Sequence, residues 1–242
     1  MYTKYEPPVI SATIFYYDLS YQTTTAQTVL AILEEFGMFP PEKIHAGKLT
    51  NNRYLHADEY AKALLTHAYS EKDILGIGMA SGDSRQVVDF WKIDWTFTYY
   101  KCSRRVGACQ VLPWNTLTIQ STYGRLRDKS VLNSFLMCLR ELIRFIEPFY
   151  AAVDDVSHKV AVMNHVREQH FVPDRIQAIY WGNYFGRQHC EKYGLDRLSS
   201  MPAYDIETLG QGIFFTLSES PLDFDTKETA ARRKKITRFL PL

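Results

Sequence analysis

The chain has 242 residues, 46% hydrophobic and 23% charged, which is enough for one large domain or two packed halves and too apolar for a disordered chain. Its 28 basic and 27 acidic residues leave a formal charge of +1, so no global field recruits nucleic acid or anionic lipid. Aromatic residues are the departure, 14% of the chain, a content that suits strand-rich packing and also recognition surfaces.

Val9–Tyr17 is β-branched and aromatic and reads as a buried strand. Thr24 and Gln27 match a capping box, and Val29, Leu30, Leu33 and Phe36 follow at helical spacing, with Gly37 and Pro40-Pro41 as stops. Residues 57–65 suit a second helix. The glycines Gly76, Gly78 and Gly82 have neither the Walker lysine nor the dinucleotide spacing, so a loop or a strand with turns is favoured over a phosphate cradle.

From Phe90 to Tyr100 the residues alternate, with Trp91, Ile93, Trp95, Phe97 and Tyr99 on one face. Cys109–Gln120 reads as the hairpin partner, and Pro113 within it implies an edge, a bulge or a break. Ser130–Glu147 is the clearest helix, a broad apolar stripe ended by Pro148; Met137, Cys138 and Phe145 flank the stripe, so most of the helix should be buried. Phe149–Val153 supplies a strand ending in Asp154-Asp155, and Arg175–Tyr184 another that runs into Gly182-Asn183. A helix over Gln188–Leu198 comes next, then strands at Tyr204–Glu207 and Ile213–Leu217 around a Gly210-Gln211-Gly212 turn. Asp225, with Glu228 three residues on, reads as the cap of a final helix ending near Leu240.

This order has no regular βαβ alternation. It predicts an α+β fold, a mixed or antiparallel sheet packed with amphipathic helices, as one domain over 1–242 with a possible subdivision near 125–130. The N-terminus has no signal-peptide pattern and no apolar run reaches membrane-spanning length, so a cytoplasmic chain without a membrane partner is expected. The four cysteines, Cys102, Cys109, Cys138 and Cys190, form no CxxC pair and read as free thiols; a bridge between Cys102 and Cys109 stays open.

Candidate chemistry is thin. His165 and His170 are five apart, which does not put two imidazoles on one helix face, and the other histidines (His45, His56, His67, His158, His189) show no metal-ligand spacing. A zinc site assembled from distant segments stays open. His189 and Cys190 are neighbours, so their side chains diverge where a nucleophile and its base must converge. Asp154-Asp155 could serve acid–base chemistry, but a turn or capping role is the better reading. The cations Arg232, Arg233, Lys234, Lys235 and Arg238 occupy the end of the last helix, where they complement its dipole, so a solvated helix end is favoured over a nucleic-acid stripe. The segment Ile179-Tyr180-Trp181-Gly182-Asn183-Tyr184-Phe185-Gly186 could shape a pocket or binding edge, or close the core through a tight turn, and the latter is favoured. No cofactor and no catalytic residue is assigned, and the chain is expected not to be an enzyme.

The C-terminal third carries a resemblance. Pro173, the run Ile179–Gly186, Gly194, Pro202-Ala203-Tyr204, Leu209-Gly210-Gln211-Gly212 and Leu217-Ser218-Glu219-Ser220-Pro221-Leu222-Asp223-Phe224 resemble the pattern of bacterial polymorphic-toxin immunity proteins, of the immunity protein 52 and type VI immunity types. The resemblance covers roughly residues 130–240, through motifs that shape a fold. It implies a cytoplasmic α+β protein that binds a cognate toxin domain and blocks it, with no catalytic site; the contact residues are not assigned. Two alternatives stand beside it: an enzyme, perhaps hydrolytic, using Asp154, Asp155 or the histidines, and a nucleic-acid-binding module using the C-terminal cations.

Overall fold

The computed structural model describes residues 9–17, 23–37, 43–46, 49–52, 75–80, 95–101, 115–159, 175–176 and 178–240; of 23–26, 43–46, 49–52, 75–80, 95–101 and 115–116 only the backbone is described. In chain order the elements are β1 (Val9–Tyr16), α1 (Thr23–Glu35), β2 (Lys43–Ala46), β3 (Leu49–Asn52), β4 (Leu75–Ala80), β5 (Trp95–Lys101) and β6 (Asn115–Thr122). There follow α2 (Tyr123–Leu126), α3 (Lys129–Ile146), β7 (Tyr150–Asp155), β8 (Gly182–Phe185), α4 (Arg187–Tyr193), α5 (Leu195–Ser199), β9 (Asp205–Leu209), β10 (Gly212–Thr216), a 3₁₀ turn (Pro221–Asp223) and α6 (Lys227–Phe239). Residues 156–159 are also helical. Helices and antiparallel strand pairs make an α+β protein. Among the described residues no helix is long and apolar enough to cross a membrane.

The chain divides into two compact units, residues 15–142 and residues 1–14 with 143–242. In the first the strand order is β3-β2-β4-β5-β6. β4 pairs antiparallel with β5, Gly76 opposite Tyr100 and Gly78 opposite Thr98, so this glycine-bearing segment is a strand; Gly82 lies outside the described residues. β5 and β6 form the expected antiparallel pair, Trp95 opposite Ser121 through Tyr100 opposite Thr116. Trp91, Ile93, Pro113, Cys102, Cys109 and the helix expected at 57–65 lie outside the described residues. α1 ends at Gly37, whose φ of 73° is a backbone state that a side chain disfavours, as the stop signal required. α3 begins on Asp128, whose Oδ1 accepts from Ser130 N at 2.8 Å, and it buries Phe135, Cys138, Leu139 and Leu142. Met137, by contrast, is 44% exposed, so the apolar stripe is narrower than its composition suggests.

In the second unit the order is β1-β7-β8-β10-β9. β7 and β10 are buried along their whole length, a pattern that belongs to strands covered on both faces. β8 pairs antiparallel with β7, Tyr150 opposite Phe185, and with β10, Ile213 opposite Phe185. β9 and β10 form the expected hairpin, Leu209 opposite Gly212 across Gly210-Gln211.

Three local readings are corrected here. The strand expected over Arg175–Tyr184 is confined to Gly182–Phe185. Upstream, the backbone groups of Tyr180 are taken by the Asn183 amide, which accepts from Tyr180 N and donates to Tyr180 O, both at 3.0 Å, so side chains replace the ladder. The helix expected over Gln188–Leu198 is two helices separated by Gly194. The last helix is capped by Thr226, one residue beyond Asp225, its hydroxyl accepting from Thr229 N at 3.2 Å.

Candidate functional site

β7 ends on two carboxylates inside the protein, Asp154 fully buried and Asp155 4% exposed. A buried carboxylate persists only where donors surround it. Asp155 finds them locally: its Oδ1 accepts from Ser157 N at 2.8 Å and His158 N at 3.3 Å, which caps the helical residues 156–159. The capping reading of this pair therefore holds for Asp155.

Asp154 faces the other way and gathers donors from distant parts of the chain. Oδ1 accepts from Asp155 N at 2.8 Å, and Oδ2 accepts from Trp181 N at 3.0 Å and from His158 Nδ1 at 2.8 Å. Arg233 Nη2, from α6, lies 3.5 Å from the same Oδ2. Donation from Nδ1 to the carboxylate leaves the neutral imidazole with its lone pair on Nε2. His158 keeps 28% of its side chain exposed, with Tyr180 and Phe224 against the ring. Burial pushes the Arg233 pKa down, and Asp154 opposes that shift.

Lys159, one position after His158, is buried to 7% exposure. Its Nζ donates to Thr13 Oγ1 at 2.7 Å, Ala152 O at 3.2 Å, Ser11 O at 3.3 Å and Ser11 Oγ at 3.4 Å. None of these acceptors is charged, so burial brings its pKa down to about 7, against the pull of the Asp154 carboxylate.

Trp181 ties the C-terminal motifs to this point. Its N–H goes to Asp154, its C=O accepts from Leu217 N at 2.8 Å, and its indole N–H donates to Ser218 Oγ at 2.7 Å. Ser218 Oγ in turn donates to Ser220 O at 3.0 Å, and Ser220 Oγ accepts from Leu222 N at 3.2 Å. Arg232 donates to Leu217 O and to Glu228 Oε1, and Arg233 to Phe224 O at 3.2 Å. Tyr180–Phe185 and Leu217–Phe224, which carry the resemblance, thus fold into one hydrogen-bonded knot around Asp154. Trp181, Tyr184 and Phe185 are among the largest fully buried side chains, which is the core-closing reading of that segment.

The other candidates fall apart from this cluster. His189 is buried, with Nδ1 3.1 Å from Phe149 O and its ring against Phe185 at 5.3 Å; Cys190 Sγ lies 3.6 Å from Phe185 O. Each serves packing. Cys138 and Cys190 are free, and burial raises the Cys138 thiol to about 12. His165, His170, His56 and His67 lie outside the described residues, as does the His45 side chain. No group of three metal-ligating side chains occurs among the described residues. The five cations in the second half of the last helix are not uniformly solvated. Lys234, Lys235 and Arg238 are exposed, while Arg232 and Arg233 turn inward onto protein acceptors, which takes two charges from any phosphate-binding stripe. Sequence reasoning missed Lys159 altogether, and it named Arg233, Asn183 and Ser218 without placing them at this carboxylate. An amide inside the apolar run YWGNYF was the one local sign that backbone groups there needed a side-chain partner.

No model of a known protein family matches the chain, and no curated protein matches it. Among solved structures, the Pseudomonas aeruginosa T6SS protein PA0821 has a similar fold, with a TM-score of 0.62 and 14% identity over 95% of this chain and 73% of that one. At that identity the likeness is one of fold: the chain shares its α+β architecture with a T6SS protein.

Proposed function

We propose that this chain binds a cognate bacterial toxin domain in the cytoplasm and neutralises it by protein–protein contact, without catalysis. The fold likeness to a T6SS protein, extending over 95% of the chain, is the observation that carries the reading. It agrees with the resemblance of the C-terminal segments to immunity proteins, whose motif residues form internal hydrogen bonds around Asp154 and so serve as scaffold. The test is co-expression with the toxin domain encoded beside this gene, followed by recovery of a complex. A stoichiometric complex with restored growth supports the reading; a toxic domain that is neither bound nor restrained overturns it for that pair.

The Asp154–His158 pair favours a second reading, hydrolysis. A buried carboxylate at 2.8 Å from Nδ1 orients an imidazole whose Nε2 is a general base. The two readings separate by titration. A binder protects only near equimolar amounts, whereas a hydrolase protects at substoichiometric amounts and loses that protection in His158→Gln.

A further inference from the structure

We propose that the outer face of α6, with Tyr204 beside it, docks an acidic surface of the toxin domain. The proposal rests on the neutralisation reading above and gives that activity a surface. At about 100° per residue, Lys227, Lys234 and Arg238 fall within roughly 40° of one another on the helix, with Ala230 and Ala231 exposed between them. Thr229 and Ile236, the buried residues of α6, lie on the opposite side. The three cations are exposed, as is Lys235 next to them. Among the described residues the ion pairs of α6 are those of Arg232 with Glu228 and of Arg233 with Asp154, which leaves Lys227, Lys234, Lys235 and Arg238 free. Helix stability does not account for this row. Lys227 is the first residue of α6, where the dipole disfavours a cation. Lys234 and Arg238 are four apart, a like-charge pair that weakens a helix. Only Arg238 lies in the last turn, where a cation complements the dipole.

Charge selects the occupant. A second copy of the chain laid face to face would set cations against cations. A nucleic acid presents phosphates continuously along its length, and this row is short: Asp223, Asp225 and Glu228, all exposed, stand at its N-terminal end and repel phosphate there. A protein surface with a few carboxylates meets the cations and leaves those acids in water. The flank of α6 adds an anchor. Tyr204 is 51% exposed, with the Arg232 guanidinium 5.5 Å from its ring centroid. Arg197, also exposed, stands 5.5 Å from the Phe239 ring and donates to Phe239 O at 2.7 Å. Arg232, Lys235 and Phe239 follow one another at three- and four-residue steps, so Tyr204 and Arg197 border the cationic row along one side. Held tyrosine and arginine are the residue types that concentrate binding energy, and free cations beside them draw in an acidic partner.

Two experiments on the full chain decide the matter. In the first, the catalytically inactivated toxin domain encoded beside this gene is titrated against the wild type and against Lys227→Glu/Lys234→Glu. That double variant takes the disfavoured cation out of the first turn and gives Arg238 an opposite charge one turn before it, so its melting temperature should hold or rise. Binding should nevertheless weaken by roughly tenfold or more, through slower association, and depend less on salt. Undiminished binding overturns the docking face and leaves neutralisation standing. A lowered melting temperature with a matching loss of binding shows that the cations serve the fold, and overturns it too. In the second, a capped hexaglutamate peptide is titrated at low salt against the isotope-labelled chain, and backbone amide shifts are followed. Shifts centred on 204 and 227–238, lost in the double variant, are expected. Shifts elsewhere, or none, overturn the proposal, as does a DNA duplex that binds this face where the peptide does not. A wild-type chain that ignores the toxin overturns neutralisation instead, and the peptide titration still decides whether α6 takes an acidic partner.

Discussion

Replacing Asp154 by asparagine keeps the shape of the side chain and removes its charge, in a place where four donors converge. The carboxylate accepts from Asp155 N, Trp181 N and His158 Nδ1 at 2.8–3.0 Å, and Arg233 Nη2 stands 3.5 Å away. An asparagine offers one acceptor atom: with its oxygen in the Oδ2 place only Asp155 N loses its acceptor, with the reverse orientation three donors do, and in either case Arg233 loses its counter-charge. A buried donor left without a partner costs about 1–3 kcal/mol, and removing one partner of a buried ion pair costs about 3–5 kcal/mol. Because Arg233 is 21% exposed, water relieves part of its share, and a loss of about 3–4 kcal/mol is expected. Urea unfolding followed by circular dichroism measures it as a lowered midpoint. The double variant Asp154→Asn/Arg233→Met should recover part of the loss, since the stranded cation is gone. A loss below about 1 kcal/mol for Asp154→Asn would refute the view of this carboxylate as the centre of the knot.

Three further outcomes are expected. The Lys159 pKa is pushed from 10.5 to about 7, so between those values the unfolded chain holds a proton that the folded chain has released. Stability of the wild type should therefore rise with pH across that window, by up to about 1.4 kcal/mol per pH unit, relative to Lys159→Met. The penalty is present in full below pH 7, and parallel pH curves for the two proteins would contradict the assignment. Gly186→Ala should lower stability by about 1–3 kcal/mol in thermal unfolding, because a Cβ there would run into the Pro148 carbonyl and the Phe149 backbone; an unchanged midpoint would show that this close approach relaxes freely. Thr226→Ala should cost about 0.5–2 kcal/mol through loss of the helix cap while Asp225→Ala costs little, and the reverse order would return the cap to Asp225.

The elements legible from sequence are those whose cause is local. Period-two alternation located β5, glycine at the turn located the β9–β10 hairpin, and the stripe from Leu132 to Ile146 located α3. Each depends on neighbours within one turn or one strand. What was not legible depends on residues far apart. Before Gly182 the backbone groups of Tyr180 go to the nearby Asn183 amide, but the Trp181 N–H goes to Asp154, 27 positions away, and that partner has no local sign. Arg232 and Arg233 read as solvated cations because their acceptors, Leu217 O and Asp154, are supplied by other segments. Lys159 gave no sign of burial, since its acceptors other than Ala152 O lie on β1, nearly 150 residues earlier. The pair Asp154-Asp155 was found as a pair, but its division into a cap and a buried centre appears only once Trp181 and α6 are in place.

The most direct test of the account is neutralisation by stoichiometry: toxin activity followed while the purified chain is titrated in, with the complex weighed by light scattering. Inhibition that reaches completion near equimolar chain and persists unchanged in His158→Gln, with one complex of summed mass, is the predicted result. Toxin activity that survives an excess of folded chain, with no complex formed, would contradict it.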